Sequence, residues 1–86
     1  MTMVEIRIYD EALDSLAKLP MAIQARIQAV IGRLRDWPQV SGAKPLRGKL
    51  AGHFRMRTGD YRVQLVVNGN VLTIERIGHR DGFYED

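Results

Sequence analysis

Eighty-six residues are enough for one domain and little more, because a chain of this length buries only about 60–65% of the surface its unfolded form exposes. The absence of cysteine excludes disulfides, cysteine-ligated zinc and thiol nucleophiles, and it fits a reducing compartment. A hydrophobic fraction of 45% disfavours wholesale disorder, while 13 Lys/Arg against 10 Asp/Glu, a net charge of +3 and a pI near 9.7 point to an anionic partner: nucleic acid, an acidic protein, or both.

The charge is unevenly placed. Residues 1–43 carry five basic and five acidic residues and sum to zero. Residues 44–80 carry eight basic residues against Asp60 and Glu75, a local balance of +6, and Asp81, Glu85 and Asp86 follow in the tail. The N-terminus shows no charged-then-apolar signal pattern, and no apolar run approaches the roughly 20 residues needed to cross a bilayer. A single cytoplasmic domain over residues 1–86 is expected.

Val4–Tyr9 alternates, with Val4, Ile6 and Ile8 on one face, and predicts a half-buried strand. Asp10 is placed to cap a short helix over about Glu11–Leu19, with Leu13, Leu16 and Ala17 on its apolar face. Pro20 breaks that helix and opens a second, predicted over Met21–Asp36. In it Ile23, Ile27, Val30, Ile31 and Leu34 recur at three- and four-residue steps, with Arg26, Arg33 and Arg35 mostly off the stripe. Trp37-Pro38 ends the pattern. The two helices should form a hairpin. Gln39–Gly52, rich in turn residues, reads as an irregular connection.

Three strands follow. His53–Thr58 alternates, Phe54 and Met56 against His53, Arg55 and Arg57, and Gly59-Asp60 is a turn. Tyr61–Asn68 sets Tyr61, Val63, Leu65 and Val67 against Arg62, Gln64 and Val66. Asn68-Gly69-Asn70 is a hairpin signal. Val71–Ile77 is the last strand, with two mixed faces that leave it unoriented, and Gly78 should end it. The fold class is therefore α+β in the order β-α-α-β-β-β, a helical hairpin on a small, mostly antiparallel sheet. If Phe54, Met56, Val63 and Leu65 face the helices, alternation gathers Arg55, Arg57 and Arg62 on the open face.

That cluster suits phosphate, since arginine's planar fork matches phosphate oxygens. The bland alternative is a solvated strand face with arginine stems over apolar surface. His79 is the tail residue whose type ordinarily titrates near neutrality, about 6.5, though a lone exposed histidine is more often ordinary surface. Tyr84 could anchor the tail; as a base it begins from a reference pKa of about 10, which neighbouring arginines would lower. His53 reads as structural or as a minor phosphate contact. No metal-ligand spacing, phosphate loop or Ser-His-Asp pattern is present, so neither metal nor cofactor is expected.

The element order, together with Leu46-Arg47-Gly48, Gly59-Asp60-Tyr61-Arg62-Val63, Ile77-Gly78-His79-Arg80 and Phe83-Tyr84, resembles the RelE/ParE superfamily of toxins from bacterial type II toxin–antitoxin modules. The similarity spans essentially the whole chain. It implies a fold like that of microbial ribonucleases and a ribosome-dependent mRNA endoribonuclease, or mRNA interferase, that inhibits translation. The matching positions imply catalytic roles for Arg57, Arg62, His79, Arg80 and Tyr84, and RNA binding by Arg55, with Lys44, Arg47 and Lys49 beside it. Relatives often carry Lys where Arg55 and Arg57 stand, and some carry a further C-terminal helix that is not expected after Tyr84 here.

The expected reaction is metal-independent attack of a 2′-OH on the adjacent phosphorus, leaving a 2′,3′-cyclic phosphate. Tyr84 is the candidate base and His79 its rival. Arg57 and Arg62 would stabilise the added charge, Arg55 would orient, and Arg80 would sit near the leaving group. Expected partners are the ribosome and mRNA, and a cognate antitoxin whose complex could bind operator DNA. The alternatives are a ParE-like toxin that poisons DNA gyrase without cutting RNA, or a non-catalytic basic binding module.

Overall fold

A computed structural model of the chain describes residues 4–83; Tyr84, one of the expected site residues, lies outside them. Its sheet has five strands: β1 (Glu5–Ile8), β2 (Lys44–Pro45), β3 (His53–Thr58), β4 (Tyr61–Asn68) and β5 (Val71–His79), in the order β1-β5-β4-β3-β2. β1 runs parallel to β5, and the remaining pairs are antiparallel. Two helices, α1 (Asp10–Ala17) and α2 (Met21–Leu34), cover one face and leave the other to the basic residues. This is the expected α+β arrangement with one strand added.

The added strand corrects the reading of Gln39–Gly52 as wholly irregular. Lys44 pairs with Arg55 and Pro45 with Phe54. Two residues carry no readable alternation, and proline is tolerated in a sheet on an edge such as this. A one-turn 3-10 helix, Gly48–Leu50, follows.

α1 starts one residue earlier than expected. Tyr9, not Asp10, is the N-cap, and no side chain caps the helix. The Tyr9 carbonyl accepts the Leu13 N–H at 3.0 Å, while Asp10 and Glu11 in the first turn suit the positive end of the helix dipole. The buried face is also rotated: Ala12 and Leu16 are enclosed, and Leu13 points outward. α1 lies against β5, and the small Ala12 permits that approach. Gln24 of α2 donates from Nε2 to the carbonyls of Leu19 (2.9 Å) and Ala17 (3.3 Å), satisfying acceptors that the end of α1 leaves open.

α2 buries Ile27, Val30 and Leu34 and half-buries Ile23 and Ile31, as its periodicity predicts. It ends at Leu34, two residues short of the expected Asp36. Beyond it, N–H groups reach carbonyls three residues back, Asp36 to Arg33 and Trp37 to Leu34 at 3.1 Å each, the tightened winding common at helix ends. Trp37 then packs edge-on against Phe54, with ring centroids 4.7 Å apart. From the sheet, Met56, Val63, Leu65, Leu72, Ile74 and Ile77 fill the core against the helices.

β5 explains its own mixed faces. Gln64 pairs with Arg76 and Leu65 with Ile74, so the pairing skips Glu75. An extra residue of this kind is a β-bulge. Leu72 and Ile74 face the core before it and Ile77 after it, while Glu75 and Arg76 both fall on the open face. β5 also runs on through Gly78, opposite Arg62, to His79, opposite Tyr61. The expected stop at Gly78 is corrected, because ladder pairing with β4 continues across it.

Both hairpins turn on two residues, Gly59-Asp60 and Gly69-Asn70, with glycine alone at positive φ, +59° in each. A positive φ at the first central position is the type II′ requirement. At Gly59 an added Cβ would also sit 3.4 Å from Arg26 Nη1. Gly59→Ala is expected to destabilise the protein by about 1–2 kcal/mol, the left-handed penalty for an L-residue, read as a shifted urea midpoint with an unchanged m-value.

Candidate functional site

Strand register builds the site in two rows on the open face. In the first, Arg57 of β3 lies directly opposite Arg62 of β4, which lies opposite Gly78 of β5. In the second, Lys44, Arg55, Gln64 and Arg76 stand side by side on four strands. Like charges placed directly opposite destabilise a sheet, and an anion between them relieves that.

A cleft of about 600 Å³ opens over these rows. Its cationic lining is Arg33, Lys44, Arg55, Arg57, Arg62 and Arg80, and no described lining residue is a carboxylate. The structure thus brings together five of the nine residues picked out from the sequence: Lys44, Arg55, Arg57, Arg62 and Arg80. Arg62 folds back on its own turn, donating from Nη1 to the carbonyls of Gly59 (2.9 Å) and Tyr61 (3.1 Å). Arg80 is tied to the same turn: its N–H donates to the Asp60 carbonyl at 2.7 Å, and its Nε lies 3.9 Å from Asp60 Oδ1. The β3–β4 turn therefore holds two of the cleft's arginines.

Three of the other expected residues fall elsewhere. Arg47 and Lys49 line a neighbouring hollow of about 1010 Å³, which shares Lys44 with the cleft. His79 lines a depression between α1 and β5. Its ring meets Tyr61 edge-on at 5.4 Å, and its Nδ1 accepts the Asp81 N–H at 3.2 Å. The same Nδ1 lies 3.3 Å from Asp81 Oδ2, so both contacts of this nitrogen are to Asp81.

Arg55 is the clearest departure from the open-face expectation. It is on that face but only 7% exposed. Its Nη2 donates to Gln64 Oε1 (3.1 Å) and its Nη1 to the Phe83 carbonyl (3.3 Å). Gln64, itself 4% exposed, passes the chain on, donating from Nε2 to Glu75 Oε1 at 3.3 Å, where His53 Nδ1 also donates at 2.7 Å. A buried guanidinium is thereby linked to a carboxylate through an amide, the kind of hydrogen-bonded pairing a buried charge requires.

Above Arg55 lies Phe83, delivered by a 3-10 turn over Arg80–Gly82. Its ring is 6% exposed, with the guanidinium carbons of Arg76 and Arg55 at 4.1 and 5.1 Å from its centroid. Arg76 also donates from Nη2 to the Gly82 carbonyl.

Sequence reasoning missed Arg33, Gln64, Arg76 and Phe83. Arg33 reaches the cleft from the end of α2, donating to the Ser41 carbonyl at 2.8 Å, and its place off the apolar stripe was a signal. Gln64 and Phe83 each stand out from their surroundings, an amide in an apolar strand and an aromatic in a polar tail. Among the described residues no group of His, Asp and Glu is spaced to hold a metal ion, and no helix is long and apolar enough to cross a membrane.

These features define a small α+β protein with an anion-receptive cleft on the uncovered sheet face. No known family profile matches the chain. A curated relative, Toxin RelE3 of Methanocaldococcus jannaschii, is 29% identical over 76 residues, covering 85% of this chain and 86% of the relative. Among solved structures, the toxin–antitoxin complex RelBE2 of Mycobacterium tuberculosis contains a chain 34% identical, with TM-score 0.78 and coverage of 93% of this chain and 94% of that one. The archaeal RelE–RelB complex of Pyrococcus horikoshii matches at 26% identity and TM-score 0.74, covering 92% and 97%. The chain belongs to the RelE family, as a toxin of a toxin–antitoxin module.

Proposed function

We propose that the protein is a ribosome-dependent mRNA endoribonuclease whose basic cleft receives the scissile phosphodiester. The observation that carries this reading is the run of guanidiniums around a cleft with no described carboxylate. Such a wall repels nothing in an RNA backbone and matches its oxygens bidentately.

Cleavage forms a bond from the 2′-oxygen to phosphorus and breaks the bond from phosphorus to the 5′-oxygen. The 2′-OH proton passes to a base and a proton reaches the departing oxygen. Arg57 and Arg62 stabilise the charge that grows on the phosphate oxygens. Arg80 serves electrostatically beside the leaving group, since a guanidinium stays charged and does not give up its proton. Tyr84, next in sequence after Phe83, is the assigned base. Its rival, His79, lines the depression between α1 and β5 and not the cleft. Lys44 and Arg33 bind the flanking backbone, and Arg47 and Lys49 extend the basic surface beyond Lys44.

A cognate antitoxin partner is proposed by likeness to the RelBE2 and RelE–RelB complexes. Its complex with this chain would also bind operator DNA. The protein acts in the cytoplasm, as one domain over residues 1–86.

The test is primer extension on mRNA in programmed ribosomes and on the same mRNA free in solution. New stops at the ribosomal A site, much weaker on free RNA, are the expected result. Intact mRNA beside a wild-type protein that still arrests growth would end the ribonuclease reading.

A further inference from the structure

We propose that Arg55 and Arg76 form a clamp on Phe83 that positions the tail, so that Arg55 serves the reaction as a positioning residue and not as an RNA contact. The proposal rests on the ribonuclease reading above. Each of the two guanidiniums does the same two things. Each donates to a tail carbonyl, Arg55 to Phe83 and Arg76 to Gly82, and each lies against the Phe83 ring. Four contacts from β3 and β5 therefore converge on two consecutive residues.

The other end of the turn is fixed independently, by the Arg80 N–H on the Asp60 carbonyl. With both ends held, the Arg80 side chain is set at the rim of the cleft, and the residue after Phe83 is the proposed base. Arginine suits the clamp because its planar fork donates in plane while its face meets an aromatic ring. The fork of Arg55 donates to Phe83 and Gln64, and at 7% exposure little of it is open to a phosphate in the cleft.

The two roles separate in three measurements. The first is the salt dependence of binding to a single-stranded RNA oligonucleotide, where each lost phosphate contact lowers the log–log slope by about 0.7. Arg57→Gln should show that drop, and Arg55→Gln should keep the wild-type slope. The second is amide hydrogen exchange at Arg80 and Phe83, whose N–H groups bond to Asp60 and Arg80. Exchange should quicken about tenfold or more in Arg55→Gln, Arg76→Gln and Phe83→Leu, and stay slow in Phe83→Tyr. The third is cleavage on programmed ribosomes. Phe83→Leu and Arg55→Gln should each lower kcat by about 10–100-fold with KM little changed, as misplacement does. Their double variant should fall no further than either alone.

A reduced salt slope in Arg55→Gln, matching Arg57→Gln, would overturn the clamp. So would Phe83→Leu with wild-type exchange and kcat. Should Arg55→Gln not fold, Arg76→Gln and Phe83→Leu carry the exchange test. Should the wild type cut no mRNA, the ribonuclease reading falls, and the slope and exchange results still decide whether Arg55 holds the tail.

Discussion

Arg62→Ala should slow mRNA cleavage on programmed ribosomes by about 10²–10³-fold, the usual consequence of removing one preorganised charge contact to a reacting phosphate or oxyanion. Arg62 has the central place in the cleft. It stands between Arg57 and Gly78 in the cross-strand row, so on one side it meets a second guanidinium and on the other a residue with no side chain to crowd it. Its hold on the Gly59 and Tyr61 carbonyls pre-sets the side chain before substrate arrives. Because Arg62 is only half-buried and outside the core, the variant should fold, and an unchanged circular dichroism spectrum checks that. Arg62→Lys should recover part of the loss, keeping the charge without the fork. Equal cutting by Arg62→Ala and wild type would remove the cleft from the mechanism.

The largest stability effect is expected at Leu65. It is fully enclosed, lies between Phe54 and Ile74 in the sheet and borders the bulge. Leu65→Ala removes buried methylene groups and leaves a cavity, for about 2–5 kcal/mol. Against the roughly 4–13 kcal/mol that 0.05–0.15 kcal/mol per residue gives a domain of this size, that is a large fraction of the total. Urea titration should show the loss as a lower midpoint, and each kcal/mol should lower Tm by about 4–8 °C. A loss under 1 kcal/mol would mean that the sheet collapses around the gap, contrary to the packing described.

Where the sequence was legible, a period was intact. The apolar stripe of α2, the alternation of β3 and β4 and the two glycine turns all place their residues as predicted, and with them Arg57 opposite Arg62. Where it was not, something non-periodic intervened. The extra residue in β5 mixed two faces that are each regular on their own side of Glu75. Lys44–Pro45 was too short to alternate. The outward turn of Leu13 came from how α1 seats on β5, which no property of α1 alone dictates. Arg55 illustrates a different limit. Alternation put it on the right face, but its burial depends on Phe83, 28 residues away in sequence, and on the Phe83 carbonyl and Gln64 amide oxygens that its Nη groups reach.

The skipped pairing at Glu75 has a consequence for anyone who edits this chain. It works as a half-step phase shift: upstream of it even-numbered β5 residues look inward, and downstream odd-numbered ones do. Gly78 shares its side with the arginine row, and the tail turn emerges there, because the shift precedes them. Deleting Glu75 alone would restore plain parity with Ile74 still opposite Leu65 and Arg76 still opposite Gln64, so Arg80 and Phe83 would keep their side; what would go is the carboxylate that Gln64 and His53 share beneath the arginine row.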